Sequence, residues 1–234
     1  GVYTCSGTIK ETNGRAAMTA DPLTVTIVDP ATPPEGTTVN VTSGDAFQLF
    51  STNGITFEDE TTTGATITGA DNGIYAYAKY TGTGDLIIKT TGDTEGGTNG
   101  IYAKNTGTGA LRITTTGTTE GKTRYGIFAR SEGDTDLEII AATTTGGING
   151  IKAQNFGTGA LSITTTGETT GTDGDGIYAK NNPVSTGDLT INAVSTTGGK
   201  NGIFAENKGK GDLIIKTMGE TKGNGTMDDG IYAH

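Results

Sequence analysis

Fixed apolar positions alternating with variable ones recur along this chain at a near-constant interval. The first form is Gly-Ile-x-Ala, at Gly73-Ile74-Tyr75-Ala76, Gly100-Ile101-Tyr102-Ala103, Gly126-Ile127-Phe128-Ala129, Gly150-Ile151-Lys152-Ala153, Gly176-Ile177-Tyr178-Ala179, Gly202-Ile203-Phe204-Ala205 and Gly230-Ile231-Tyr232-Ala233. Successive copies are separated by 27, 26, 24, 26, 26 and 28 residues. The second form is Leu-x-Ile, at Leu86/Ile88, Leu111/Ile113, Leu137/Ile139, Leu161/Ile163, Leu189/Ile191 and Leu213/Ile215. A period of two places alternate side chains on one face of a strand. The residue between Leu and Ile runs through Ile87, Arg112, Glu138, Ser162, Thr190 and Ile214, while the flanking pair never changes. The invariant residues are therefore predicted to point inward and the variable ones outward.

A repeat of this length indicates a solenoid, in which each unit buries its apolar face only by stacking on its neighbours. Helical repeats do not fit, because Thr and Gly fill positions where helix formers are needed. The Leu-x-x-Leu-x-Leu run of leucine-rich repeats is absent, and propeller blades need roughly 40–50 residues. About 26 residues suit one coil of a right-handed parallel β-helix with three short strands and three turns, stacked ~4.8 Å apart. Asn105, Asn155, Asn181 and Asn207 fall five residues after the repeat glycine and are predicted to form a ladder at one turn. Such Asn residues tolerate left-handed backbone and bond their own main chain. Ser131 takes that place in the third copy, and Thr145-Gly146-Gly147 and Thr197-Gly198-Gly199 read as variant turns.

The opening part is less regular. Residues 37–42, 46–50, 54–57 and 64–68 read as strands separated by Gly, Asp and Ser signals. Pro22, Pro30, Pro33 and Pro34 demote 21–36 to edge or loop. Residues 1–45 are expected to form an N-terminal cap with irregular opening strands, and 46–234 one continuous set of coils. The chain stops four residues into its seventh repeat, which fits a fragment of a longer solenoid. His234, the sole histidine, fits the start of a purification tag.

Composition sharpens this picture only in part. Forty glycines and no tryptophan suit narrow coils with small turn residues and a thin core. A formal charge of −10 argues against nucleic acid or an anionic membrane surface as the main partner. No stretch approaches the ~18 apolar residues needed to span a membrane. Cys5 is the only cysteine, so no internal disulfide forms. A tolerated thiol in a mobile terminus and an intermolecular link both fit it.

Catalytic chemistry finds little purchase. Glycoside hydrolysis needs two carboxylates at a set separation. Asp85, Asp188 and Asp212 recur before the Leu of three coils, whereas Ala110 and Ala160 stand there in two others. Recurrence at a turn favours a structural role. Calcium-binding nonapeptides are not matched, and one histidine supplies no Ser-His-Asp or Cys-His set. No metal or cofactor is expected, and the chain is read as a non-enzyme.

The outward residue of Gly-Ile-x-Ala carries the more testable signal. Tyr75, Tyr102, Phe128, Lys152, Tyr178, Phe204 and Tyr232 should align as an external aromatic stripe interrupted by Lys152. Aromatic residues anchor protein interfaces. They equally stabilise paired strands from outside, so an interface and a purely structural ladder both remain open. A local basic bias at Lys200, Lys208, Lys210, Lys216 and Lys222 fits an acidic receptor loop or sulfated glycans. Glu206, Asp212 and Glu220 among these lysines fit a mixed, solvated face as well.

The run Gly-Ile-Tyr-Ala-Lys-Asn-x-Gly-x-Gly-Ala-Leu-x-Ile-Thr-Thr-x-Gly at 100–117, with Asp175-Gly176-Ile177-Tyr178-Ala179-Lys180-Asn181, resembles the passenger-domain repeats of bacterial autotransporters, particularly those of Bartonella. Val2-Tyr3-Thr4-Cys5-Ser6-Gly7 is similar to the mature start of such passengers. The resemblance covers about 170 residues strongly and the first seventy weakly. It implies a protein secreted from, or displayed on, the bacterial surface. It further implies a pro-angiogenic effector that binds and activates a host endothelial receptor of the vascular endothelial growth factor receptor 2 type. An adhesin for host cells or matrix is the alternative, and a structural stalk a third. Receptor activation generally needs two receptor chains brought together, and neither two sites nor dimerisation is legible in the sequence.

Overall fold

The computed structural model describes residues 2–5, 8–9, 22–29, 37–79, 82–225 and 228–234. Its strands stack into three parallel sheets, two of nine strands and one of eight. One coil illustrates the rest. Asn99–Asn105 lies in the first sheet, Leu111–Thr115 in the second and Thr119–Gly121 in the third. The next coil repeats this with Tyr125–Ser131, Leu137–Ala141 and Thr144–Gly146. We call these the Gly-Ile, Leu and Thr sheets after their repeated motifs. The chain is thus an all-β parallel solenoid with the expected coil length.

Register follows the sequence motifs residue for residue. Ile101 pairs with Ile74 and Ile127, and Leu111 with Leu86 and Leu137. Ile101, Ala103, Leu111 and Ile113 are fully buried, as are their equivalents up to Ile203 and Ala205, whereas Leu213 and Ile215 are partly buried and Ile231 is exposed. Burying each Leu or Ile contributes roughly 1.5–3 kcal/mol, and the column they form is a single continuous core.

The third strand of the coil falls, at Thr144–Gly146 and Ser195–Gly198, on residues that the sequence predicts as turns. Thr94-Glu95-Gly96, Thr119-Glu120-Gly121 and Thr144-Thr145-Gly146 pair in register, and Thr169-Thr170-Gly171, Thr196-Thr197-Gly198 and Thr221-Lys222-Gly223 continue the series. Thr145-Gly146 and Thr197-Gly198 are therefore strand residues, not turn variants. Three residues are too few to show a periodicity of two. The inward threonine explains the glycine of Gly-Ile-x-Ala: a Cβ on Gly100 would lie 2.7 Å from Cγ2 of Thr119 and 2.7 Å from the carbonyl oxygen of Gly126.

The opening segment departs from expectation. Leu23–Ile27, inside the proline-bearing stretch, is an interior strand of the Leu sheet between Val2–Cys5 and Ile55–Asp59. Its Leu23, Val25 and Ile27 are buried. Pro22 sits just ahead of it, where a missing N–H is tolerated, and Pro30, Pro33 and Pro34 lie outside the described residues. Thr8–Ile9 and Thr38–Val41 likewise begin the Thr sheet. Among the described residues, 1–45 thus contributes strands to the same sheets, and no separate capping element appears. Strands at Thr38–Val41, Phe47–Ser51, Ile55–Asp59 and Thr66–Gly69 match the sequence expectation closely. Cys5 is not in a loose end: it pairs with Ile27 and packs against the core, and burial raises its thiol pKa. A raised pKa lowers thiolate content and reactivity.

Candidate functional site on the outer face of the Gly-Ile sheet

Because Ile and Ala of each Gly-Ile-x-Ala point inward, the residue between them faces outward, half-buried against its neighbours. Tyr75, Tyr102 and Phe128 pair in register, as do Tyr178, Phe204 and Tyr232, with Lys152 between the two groups. The rings stack face to face. Tyr75 and Tyr102 have centroids 4.8 Å apart at 1°, and Tyr102 and Phe128 are 4.7 Å apart at 12°. Tyr178 and Phe204 stand 4.9 Å apart at 2°, and Phe204 and Tyr232 5.2 Å apart at 11°. Their faces are consumed by one another, so the row presents ring edges to solvent. Such pairs add ~0.5–1.5 kcal/mol beyond area burial, which gives the row a structural role whatever else it does.

A second outward row runs two residues further on. Lys104 lies over the ring of Tyr77, 5.4 Å from its centroid, and Arg130 over Phe156 at 4.1 Å. Glu132 pairs with both Lys104 and Arg130. Glu206, 6% exposed, pairs with Lys180 and Lys208. The hydrogen bonds from these two lysines hold its carboxyl below the usual carboxylate range.

The break at Lys152 involves residues that sequence reading missed. Its Nζ lies 5.1 Å from the ring centroid of Tyr125, 5.4 Å from that of Tyr178, and donates to the Tyr125 hydroxyl at 3.3 Å. The exposed Arg124 also sits over this ring, its Cζ 5.2 Å from the Tyr125 centroid. Burial alone would raise the Tyr125 phenol pKa, but the hydrogen bonds and charges of Lys152 and Arg124 prevail and lower it. The signal in the sequence was there: Tyr125 stands where Asn72, Asn99, Asn149 and Asn201 stand in other coils.

The five lysines of the second candidate surface are not brought together. Lys208 and Lys210 share the turn after the Gly-Ile strand, whereas Lys200 follows a strand of the Thr sheet. Lys216 belongs to the Leu sheet and Lys222 to the Thr sheet. Three sheets separated by corners scatter residues that are close in sequence. Glu206 and Glu220 further neutralise Lys208 and Lys222.

The recurring aspartates are tied into the coil corners. Asp85 Oδ1 accepts the N–H of Ala110 in the next coil at 2.8 Å. Asp136 accepts that of Ala160 at 2.9 Å, and Asp188 that of Asp212 at 2.8 Å. An Asp in one coil thus serves the main chain of the next coil, whether Ala110, Ala160 or Asp212 stands there. The asparagines act within their own turns. Asn105 Oδ1 accepts the N–H of Gly107 at 2.9 Å and Nδ2 donates to the Gly109 carbonyl at 2.7 Å, with the same pair of bonds at Asn155 and Asn207. None of them is left-handed, since among the described residues positive φ occurs only at Gly44, Gly54 and Gly64. The expected ladder exists in register, but its bonds stay within a turn instead of linking coils, and Asn181 makes only the Nδ2 bond, to the Gly187 carbonyl at 3.4 Å.

Ser131 lacks this staple, and its buried Oγ has no partner. Its turn has the same length as that of Asn105, six residues to Leu137 against six to Leu111. Ser131→Asn should supply bonds to Gly133 N–H and Thr135 C=O. The expected gain is about 1 kcal/mol, read as a higher urea midpoint at constant slope. An unchanged or lower midpoint would show that this turn cannot take the carboxamide.

Fold and surface together define a parallel β-solenoid repeat protein with a stacked aromatic outer row. No family model matches the chain, and neither a curated protein nor a solved structure does. Among the described residues, no group of three or more His, Cys, Asp or Glu is placed to hold a metal, and no helix is long and apolar enough to cross a membrane.

Proposed function

We propose that the chain is an autotransporter passenger of the Bartonella type, exported to the bacterial surface or beyond, that binds and activates a host endothelial receptor of the vascular endothelial growth factor receptor 2 type. The resemblance of residues 100–117 and 175–181 to passenger repeats names the partner. The outward row from Tyr75 to Tyr232 is the observation that carries a binding role, because it offers a straight strip of half-exposed aromatic residues along one face. Solenoids use such extended surfaces for recognition. The corner aspartates support binding over hydrolysis, since their carboxylates already accept main-chain bonds.

Binding of this protein to the purified receptor ectodomain, with the mass of the complex measured, tests the proposal. Tyr102→Ala and Phe128→Ala should each weaken binding roughly tenfold or more, as central interface anchors do. Each also removes ring stacking, so binding is measured well below the melting midpoint with the fold checked by circular dichroism. Ile140→Ala, an exposed position on the Leu sheet, is the control and should leave affinity unchanged. Unchanged affinity in both ring variants, or an equal loss at Ile140, would remove the stripe from the interface. A second reading, adhesion, is favoured by the repetition of the row, which suits multivalent contact. Cell attachment without receptor phosphorylation would select it.

A further inference from the structure

We propose that Arg124, Tyr125 and Lys152 form a docking point for a single carboxylate of an acidic protein segment. This rests on the reading that the Gly-Ile face contacts a protein, and it specifies the chemistry of that contact. Two ladders run along this face, and each is broken once. Over the seven Gly-Ile-x-Ala copies the outward row is aromatic except at Lys152. The polar row two residues ahead of each repeat Ile is Asn or Asp at residues 72, 99, 149, 175, 201 and 229, and is broken by Tyr125. The two exceptions lie in adjacent coils and touch, Lys152 Nζ to Tyr125 Oη at 3.3 Å.

The break in the polar row works against stability, whereas that in the aromatic row is offset in part. Phe128 and Tyr178 lose the ring that would have stacked between them, but Tyr125 stacks on Phe128 at 5.6 Å and Lys152 lies over the rings of Tyr125 and Tyr178. In the polar row, Asn99 Nδ2 donates to Asn72 Oδ1 at 2.7 Å, but its own buried Oδ1 has no partner, because Tyr125 stands where an amide donor would be. An unsatisfied buried carbonyl is unfavourable. Where a repeat departs from its own rule at a cost to folding, function is the usual reason.

Charge and ring geometry choose the ligand. Among the described residues, neither Arg124 nor Lys152 joins an ion pair, whereas Lys104, Arg130 and Lys180 on the same face do. The adjacent Asp175 carboxylate is already occupied by the side-chain amides of Asn149 and Asn201. Stacked rings turn their edges outward, and aromatic edges carry the positive end of the quadrupole. Around Tyr125, whose ring stacks on Phe128, stand two unneutralised cations, and its phenol can donate; Lys152 also lies over the ring of Tyr178. This suits one anion seated among apolar groups. It does not suit a polyanion such as a sulfated glycan, which needs a line of free cations.

The probe is a pair of peptides, acetyl-Gly-Leu-Glu-Leu-Gly-amide and its Gln counterpart, titrated into labelled protein by NMR. The Glu peptide should shift amides at 124–128 and 150–153 and bind roughly tenfold more tightly than the Gln peptide. Lys152→Tyr and Tyr125→Asn restore the two ladders, so both variants should fold, melt no lower than the unchanged protein, and lose the preference for Glu. Equal binding of the two peptides, or a preference that survives Lys152→Tyr, would overturn the assignment. So would tighter binding of a heparin octasaccharide than of the Glu peptide that is lost in Lys152→Tyr. If the unchanged protein fails to bind the receptor ectodomain while the Glu preference holds, the receptor proposal falls and the carboxylate site stands.

Discussion

Gly121→Ala is expected to destabilise the protein by about 4 kcal/mol or more, a loss reserved for a few mechanisms. Gly121 ends the third strand of its coil, where the chain folds back toward the next Gly-Ile strand. An added Cβ would overlap the carbonyl oxygen of Tyr125 and lie 3.0 Å from Cα of Asn99. Both are main-chain atoms of paired strands, so neither can rotate away. The same overlap recurs at Gly96 with Asn99, at Gly146 with Asn149 and at Gly198 with Asn201. One alanine must therefore push two coils apart and open the strand pairing on both sides. At roughly 2–4 °C per kcal/mol for a chain of this size, the melting midpoint should fall by roughly 8–16 °C. Glu120→Ala, one residue away and facing outward, should stay within about 0.5 kcal/mol. Matching midpoints for the two variants would refute the steric account of this corner.

Asp59→Asn should remove about 3 kcal/mol, and the loss should depend on pH. Asp59 is 4% exposed. Oδ1 accepts from the N–H and hydroxyl of Thr61 at 3.1 and 2.6 Å. Oδ2 accepts from Ala65 N–H at 2.8 Å and, in the next coil, from Thr91 N–H and hydroxyl and Gly92 N–H at 3.1, 2.6 and 3.2 Å. An amide has one acceptor oxygen, so Asn would set its own donors against some of these groups. Bonds to a charged acceptor contribute about 1.5–3 kcal/mol each, and stranded donors add a further penalty. Burial alone would raise the Asp59 pKa, but the bonds from Thr61, Thr91 and Ala65 prevail and hold it below the ordinary 3.8. A depressed folded pKa stabilises the native state above the unfolded pKa, and that stabilisation is lost as pH falls through the folded value. The gap between wild type and variant should therefore be full at neutral pH and shrink below about pH 4. A gap that stays constant down to pH 2 would assign the effect to shape instead of charge.

Legibility in the sequence tracked how many residues each element spends on its pattern. Five- and seven-residue strands such as Leu111–Thr115 and Asn99–Asn105 display two or more inward positions, enough to reveal parity. The three-residue strand Thr119–Gly121 shows one threonine and one glycine, which read as a turn. Leu23–Ile27 carries a clear alternation, but prolines around it outweighed that signal. Among the candidate site residues, the aromatic row was legible because its positions follow from parity alone. Arg124 and Tyr125 were not, because their relation to Lys152 runs across coils that lie 27 residues apart in the chain.

The sequence by itself determined the coil length, the inward Ile, Ala and Leu columns and the outward aromatic row, since strand geometry converts a period of two directly into facing. The tertiary structure decided how those residues meet. Stacking at one coil per step turned the aromatic residues face to face, so that edges and not faces meet solvent. It placed Asp85, Asp136 and Asp188 under the N–H groups of the next coil. It dispersed the five lysines over separate faces, and it brought Tyr125 and Lys152, the single exceptions of two ladders, into contact. These relations depend on register between neighbouring coils, which main-chain pairing and packing fix only once the chain has folded.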